Sequence, residues 1–386
     1  MTAQPTTVAS LFAGIGGLEL GLHKSGFKSV YACEYWSPAR AVLASRFPGI
    51  RVDDDILDVK QLPRADVVTA GFPCTDLSQA GRTAGIAGDQ SGLVAKALDL
   101  VEDHACTWLV LENVRNMLPL HGGRAMAAIT ERLENLGFRW AYRLVDSRFS
   151  GVPQRRQRVI FVASRSEDPR AVLFADDATD RPASSYRDDA YGFYWTEGLR
   201  GLGWAQDAIP TLKGGSTIGI PSPPAIWLPD ADPENRFVLP GISAGERLQG
   251  FRTGWTKPAV DAGFRTGARW KLVGNAVTVG VSRWIGGRLR TPGDMQAETR
   301  RLDDGERWPT AAWGSRRERF AVKASMWPER KPFKHLRDVL RDDTTALSHR
   351  GAAGFLSRLD RGGLRGFPDE FRVDMKNYVE LTRPAS

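Results

Sequence analysis

A proline followed by a cysteine, Pro73-Cys74, stands just past an apolar run (Val67, Val68, Ala70) that breaks at Gly71. Proline fixes its own φ and pushes the preceding Phe72 out of helical geometry. A cysteine on a stiff turn after a buried strand is where an α/β protein would set a nucleophile. The alternative is that Cys74 is a small buried apolar residue, as free cysteines commonly are. Two further sets bear on that choice. Leu111-Glu112-Asn113-Val114 ends another apolar run with a carboxylate that could act as an acid, the alternative being an exposed acid at a helix start. Gln154-Arg155-Arg156-Gln157-Arg158 puts Arg156 and Arg158 at alternating positions, which on a strand share one face. With a cysteine and a glutamate, that face could hold a planar polar ring and keep a thiolate ionised.

A separate group reads as a nucleoside site. Phe12-Ala13-Gly14-Ile15-Gly16-Gly17 follows a short strand and opens a helix, and glycines there permit close backbone approach to a ligand. Taken alone the run could be a tight turn. Glu34 falls twenty positions after Gly14, at the end of the next strand, where a carboxylate can bind both ribose hydroxyls. Tyr35 beside it could stack on an adenine, and Asp55 could accept from its amino group. The alternative for each acid is a solvated strand end. The pyrophosphate fingerprint GxGxxG is incomplete, so an adenosine cofactor suits the site better than NAD, which these residues alone leave open.

The elements that must position these residues alternate. Strands are expected at 6–12, 27–32, near 53–56, 67–70 and 108–111, and helices at 17–26, 38–47, 93–104 and 125–136. Two more strands, about 139–145 and 157–163, flank the Gly151-to-Arg156 turn. This order predicts an α/β fold with a doubly wound, mostly parallel sheet. Ligands in such sheets bind beyond the carboxyl ends of the strands, and Gly14, Glu34, Asp55, Cys74 and Glu112 all lie at such ends. From about 165 to 242 the chain turns rich in Pro, Gly, Trp and Tyr, which predicts a smaller loop-rich domain. Helical character returns after 243, and a section from 295 to 386 mixes charges with Trp308, Trp313 and Trp327.

The formal net charge of +8 permits a polyanionic partner without requiring one. Seven arginines (139, 143, 148, 155, 156, 158, 165) lie between Arg139 and Arg165 with Asp146 as the one acid. Arginine to the exclusion of lysine suits bidentate phosphate or base contacts, though a solvated basic face would look the same. Cys33, Cys74 and Cys106 make no disulfide framework, and the five histidines show no metal-ligand spacing, so no metal is expected. No run is long and apolar enough for a membrane span, and the N-terminus lacks signal-peptide character. Location is therefore expected to be cytoplasmic.

The chain resembles the cytosine-5 DNA methyltransferase family. The matching pieces stand in the family's order: SLFAGIGG (10–17), Glu34, DDI (54–56), GFPC with SQAG (71–81), ENV (112–114), QRRQR (154–158), RLQGF (247–251) and GNAV (274–277). They span about 8–165 and 243–290. The resemblance implies a Rossmann-like methyltransferase fold and methyl transfer from S-adenosylmethionine to C5 of a flipped-out cytosine in a specific double-stranded DNA sequence. It implies Cys74 as nucleophile, Glu112 on the ring nitrogen and amino group of the cytosine, Arg158 on its carbonyl and Arg156 in support. The cofactor would be held by Phe12, Gly14, Gly16, Glu34, Tyr35, Asp55, Ile56 and Pro73, with Asn275 and Val277 from a late helix. Ser78 and the loop 79–90 are candidates to close over the base, the alternative being an ordinary surface loop. Gln154, Arg155 and Lys213 are candidate DNA contacts, whereas Tyr194, Trp195, Trp204 and Trp227 are expected chiefly as core. The expected organisation is a catalytic domain at 1–164, a target-recognition domain at 165–242, a hinge and return helix at 243–294, and a C-terminal extension at 295–386 that is a candidate DNA-facing unit. The protein is expected to be a monomer in restriction-modification or solitary methylation, with a cognate restriction endonuclease as candidate partner and association with the nucleoid through DNA. Two departures stand out: Ser10 where the family commonly has aspartate, and alanine in GNAV where serine is common. A tRNA cytosine-5 methyltransferase is the alternative, disfavoured because its Cys-Phe-Thr signature has no counterpart after Cys106.

Overall fold

In the computed structural model the described residues are 6–73, 91–194, 202–214, 223–303, 305–341, 343–362 and 366–384. Cys74, Ser78, the loop 79–90 and Trp195 lie outside them. The strands run β1 (Thr7–Leu11), β2 (Lys28–Cys33), β3 (Arg51–Asp53), β4 (Val67–Ala70), β5 (Trp108–Val114), β6 (Arg139–Asp146), β7 (Gln154–Arg155), β8 (Gln157–Ser164) and β9 (Tyr191–Tyr194). They continue with β10 (Gly203–Gln206), β11 (Ile209–Pro210), β12 (Ala225–Trp227), β13 (Phe237–Pro240), β14 (Thr299–Arg301), β15 (Ala311–Ser315), β16 (Glu318–Val322) and β17 (Thr344–Ala346). The chain divides into two units: 1–150 with 157–180 and 276–331, and 151–156 with 181–275 and 332–386.

The first unit is an α/β domain on a ten-stranded sheet of order β14-β16-β15-β6-β8-β5-β4-β1-β2-β3. Its half from β3 to β5 is parallel. From β5 outward every pairing is antiparallel. The parallel character read from the sequence thus holds for the βαβ half, and the sheet as a whole is mixed. Parallel neighbours need helical crossovers, and those leave a local 3.6-residue pattern; the antiparallel half is joined by turns and by strands recruited from far along the chain. Strand order reverses between β1 and β4, so the switch point lies at their carboxyl ends. Both faces are covered: Ala9, Leu11, Val68 and Leu111 pack on one side, and Val8, Val67 and Val110 pack with Leu22 and Trp284 on the other.

The segment 295–331 belongs to this unit and not to a separate tail domain. Its strands β14, β15 and β16 extend the sheet beyond β6. Arg143, fully buried on β6, anchors the following stretch. It donates to the carbonyls of Ser325, Leu173 and Asp176 and to the Asp177 carboxylate at 2.8 Å.

The second unit carries a five-stranded antiparallel sheet, β10-β9-β12-β13-β17, and the two-stranded pair β11-β7. The last part of the chain is integral to it: β17 pairs with β13, and the helices His349–Gly362 and Asp369–Leu381 supply Phe355, Leu359, Phe371, Met375 and Tyr378 to a core with Phe193, Tyr194, Trp227 and Phe237. Trp204 packs on this core as well. The aromatics Tyr194, Trp204 and Trp227 are therefore core residues.

Candidate active site

The first unit builds its candidate site at the carboxyl ends of β1, β2, β4 and β5. After β1 the backbone enters the left-handed region at Phe12 (φ 55°), Gly14 (57°) and Gly16 (81°). That geometry costs glycine little and strains Phe12. The turn leads into the helix Gly17–His23. Gly17 is required by proximity, since a Cβ there would come within 2.4 Å of the Val277 carbonyl. At Gly14 an added Cβ would meet only open space, so the floor above this turn is clear.

Glu34, just past β2, reaches back over the turn. Its Oε2 accepts from the Gly14 amide and its Oε1 from the Trp36 amide, both at 2.8 Å. Burial pushes its carboxyl above the ordinary range, against the pull of these two amides and Arg40. Each carboxylate oxygen keeps a second lone pair, so further hydroxyl donors can be accepted. Tyr35 next to it is 77% exposed, a large ring standing in solvent. Asp55 spends one oxygen on the Leu57 amide at 2.9 Å, and Ile56 is buried beneath. Val277 belongs to the same unit and touches Gly17; Asn275 belongs to the second unit, where its Oδ1 lies against Gly214.

Gly71, just past the strand that leads to Cys74, lies beside Glu112 and Phe12. A Cβ there would lie 3.6 Å from Glu112 Oε2 and 3.9 Å from the Phe12 carbonyl oxygen. Glu112 is on β5 and not at a helix start, and is only 8% exposed. Its Oε1 stands 2.7 Å from Arg158 Nε on the neighbouring β8. A carboxylate and a guanidinium held side by side can read the edge of a planar ring that offers an amino group, a ring nitrogen and a carbonyl. Asn113 was not expected to matter. It is buried, and its Nδ2 donates to the Phe72 carbonyl at 3.1 Å, tying β5 to the Gly71–Pro73 turn. The ENV motif contained that residue, but nothing in its spacing revealed the bond. Cys33 and Cys106 are buried, and burial pushes their thiols up to about 12 and about 11, so neither competes as a thiolate.

Arg156 and Arg158 do not share a strand. The ladder breaks at Arg156, between β7 and β8, because residues 151–156 pair within the second unit, β7 lying beside β11. There Arg156 is buried and donates to the Leu212 carbonyl at 3.2 Å. Gln154, expected at DNA, is fully buried. Its Nε2 donates to the Leu248 carbonyl and its Oε1 accepts from the Leu212 amide, so the amide serves as a brace. Arg155 is exposed but gives one N–H to the Trp204 carbonyl. Lys213 is exposed with its ammonium 4.4 Å from the Tyr194 ring centroid. The arginine cluster is largely internal. Besides Arg143, Arg155, Arg156 and Arg158, Arg139 and Arg165 donate to backbone carbonyls, and Arg148 pairs with Asp146.

Among the described residues no helix is long and apolar enough to cross a membrane, and no group of three or more metal-ligating side chains occurs.

Residues 6–190 match the model of the C-5 cytosine-specific DNA methylases. The chain is 45% identical over 375 residues to the type II methyltransferase M2.BsuMI of Bacillus subtilis (strain 168), covering 94% of this chain and 96% of that protein. It is 36% identical over 164 residues to the type II methyltransferase M.Bsp6I of Bacillus sp. (strain RFL6), covering 41% and 52% of the two chains. Among solved structures, the S. pombe Dnmt2 methyltransferase superposes with a TM-score of 0.54 at 15% identity, over 74% of this chain and 98% of that one, a likeness of fold. By sequence along nearly its whole length and by fold, this chain belongs to the C-5 cytosine-specific DNA methylase family.

Proposed function

We propose that the chain transfers a methyl group from S-adenosylmethionine to C5 of a cytosine flipped out of double-stranded DNA, through a transient bond between Cys74 and C6. The observation that carries this reading is the Glu112–Arg158 pair beside Gly71, a glycine three residues before Cys74 in sequence. The residues fit the cofactor: the clear space over Gly14, the Glu34 carboxylate with lone pairs to spare, and the exposed Tyr35 ring suit an adenosine. Phe12, Gly14, Gly16, Glu34, Tyr35, Asp55, Ile56, Pro73 and Val277 would hold it. When bound, it supplies an electrophilic methyl group.

Cytosine C5 is too weak a nucleophile unaided. Addition of the Cys74 thiolate to C6, with Glu112 giving a proton at N3, leaves C5 enamine-like. Arg158 holds the ring carbonyl. After C5 is methylated, loss of its proton to water, elimination of the Cys74 thiolate and return of the N3 proton to Glu112 restore the aromatic ring. The base must leave the stack for this, at a cost of a few kcal/mol. Recognition of the target sequence is assigned to the second unit, and a restriction-modification role accords with the type II relatives.

The test is methyl incorporation into duplex DNA, read by bisulfite sequencing, with tRNA as a parallel substrate. Wild-type protein should methylate duplex cytosines. Cys74→Ala should abolish transfer, and Glu112→Gln should lower it by about 10²–10⁴-fold while cofactor binding survives. Full activity of Cys74→Ala would refute the mechanism, and methylation of tRNA alone would move the substrate to RNA.

A further inference from the structure

Glu19 is a buried carboxyl of the first unit that the proposed reaction does not use. It lies on the helix Gly17–His23, is completely buried, and neither carboxyl oxygen has a well-formed hydrogen bond. An ionised carboxylate in that position would cost several kcal/mol, whereas the acid form is tolerable. A leucine of similar size would incur no such cost. Burial pushes the Glu19 carboxyl from about 4.5 up to about 7.

Its surroundings connect it to the site. The Ser10 hydroxyl on β1 acts on its carboxyl, and itself accepts from Thr69 Oγ1 on β4 at 3.0 Å. Ser10 lies two residues before Phe12 and Thr69 two before Gly71, so this chain of groups underlies both strand ends that open into the site. The Glu34 carboxylate adds to the rise in the Glu19 pKa. On the helix packed against it, Val279–Arg290, Arg283 and Arg290 are exposed and Arg288 is paired with Asp176. His23 on its own helix faces Ser29, and Lys28 on β2 is exposed.

Glu19 also has no room to escape. Cβ atoms at Gly17 and Gly21 would come within 2.4 Å of Val277 and Ser282, and Ser282 Oγ donates to the Leu18 carbonyl. The helix is therefore clamped from its outer side, and a charged Glu19 can gain water only by parting the helix from β1. That motion displaces Gly14 and Gly16, the floor of the cofactor bed.

We infer that Glu19 is a positioning residue whose neutral carboxyl, stacked on the Ser10–Thr69 pair, sets the Phe12–Gly16 turn for the adenosine cofactor. This rests on the cofactor assignment above. Ionisation of Glu19 then opposes binding, so affinity falls as pH rises past the folded-state pKa. Apart from ligand, the sign for stability is also defined. A carboxyl raised in the folded state stabilises fully below its unfolded value, and that contribution is lost between about pH 4.5 and about 7.

The probe is S-adenosylhomocysteine, which lacks the sulfonium, so attraction between that charge and a carboxylate is excluded. Its Kd is measured by calorimetry from pH 6 to 9 on the full chain as wild type, Glu19→Gln and Glu19→Leu. Wild type should lose about tenfold in affinity between pH 7 and 9. Glu19→Gln should bind as wild type does at pH 6 and stay flat, and Glu19→Leu should bind weakly at every pH. Superimposable wild-type and Glu19→Gln profiles, or tighter wild-type binding at high pH, would overturn the role of Glu19. The Glu19→Gln comparison stands even if Glu19→Leu does not fold. Absence of binding by wild type at any pH would instead overturn the cofactor assignment, and Glu19 with it.

Discussion

The two units of this chain are assembled in different ways. In the first, the half of the sheet that carries the site is laid down in nearly consecutive βαβ steps, and each site residue stands at the end of the strand that precedes it. In the second, the core is closed by a segment more than a hundred residues away from the strands it covers. Of the twelve buried residues described in that core, seven (Leu347, Ala352, Phe355, Leu359, Phe371, Met375, Tyr378) come from the last forty residues of the chain. The Trp227 indole and Arg236 both bind Asp374 there, at 2.9 and 2.7 Å. The C-terminal extension is thus not one object. Its first part is sheet edge in one unit, and its second is half the core of the other.

The sharpest way to break this contrast is truncation after Lys331. Removing 332–386 should unfold the second unit, since truncating a single buried Phe already costs about 3–5 kcal/mol. Sequence-specific DNA methylation should disappear while S-adenosylhomocysteine binding by the first unit persists. Retention of methylation by the truncated chain would show that the second core does not need the tail.

A smaller effect addresses the first unit's own use of the extension. Arg143→Ala leaves three carbonyls and the Asp177 carboxylate without their buried donor, and should lower stability by about 3–5 kcal/mol. Urea unfolding would read this, and a change below about 1 kcal/mol would mean that the 324–327 stretch holds without its anchor.

The smallest concerns the hairpin between β15 and β16. Ser315 pairs with Glu318 across a two-residue loop in which Arg316 and Arg317 both have positive φ, 52° and 68°. Glycine or asparagine is the usual occupant of such a turn. Arg317→Gly keeps the amide that donates to Glu134 and should raise stability by about 0.4–1 kcal/mol. A loss of stability would mean that the arginine side chain, not the backbone, maintains the turn.

Much of the first unit was legible because its signals are local. Apolar runs ended by Gly14, Glu34, Asp55 and Glu112 sit on a repeating pattern, and a strand end can be recognised without knowing its neighbours. The arginines between 139 and 165 misled for a physical reason. Five N–H donors serve a phosphate or a backbone carbonyl equally well, and Arg143, Arg156 and Arg165 turned out to brace carbonyls. Gln154 is the same case, a polar side chain near basic residues that is spent inside.

What the sequence determined by itself is the order of the chemistry: a glycine turn, a ribose-type acid, the Pro-Cys turn, and a second acid, each on its own strand end. Those depend on neighbours within a few residues. Only the tertiary structure decided that Arg158 meets Glu112 while Arg156 turns to another unit, that Asn113 ties down the Phe72 carbonyl, that Glu19 is wholly buried, and that the last forty residues complete a distant core. Strand register and long-range closure depend on which surfaces can be buried together, and no window of sequence contains both partners.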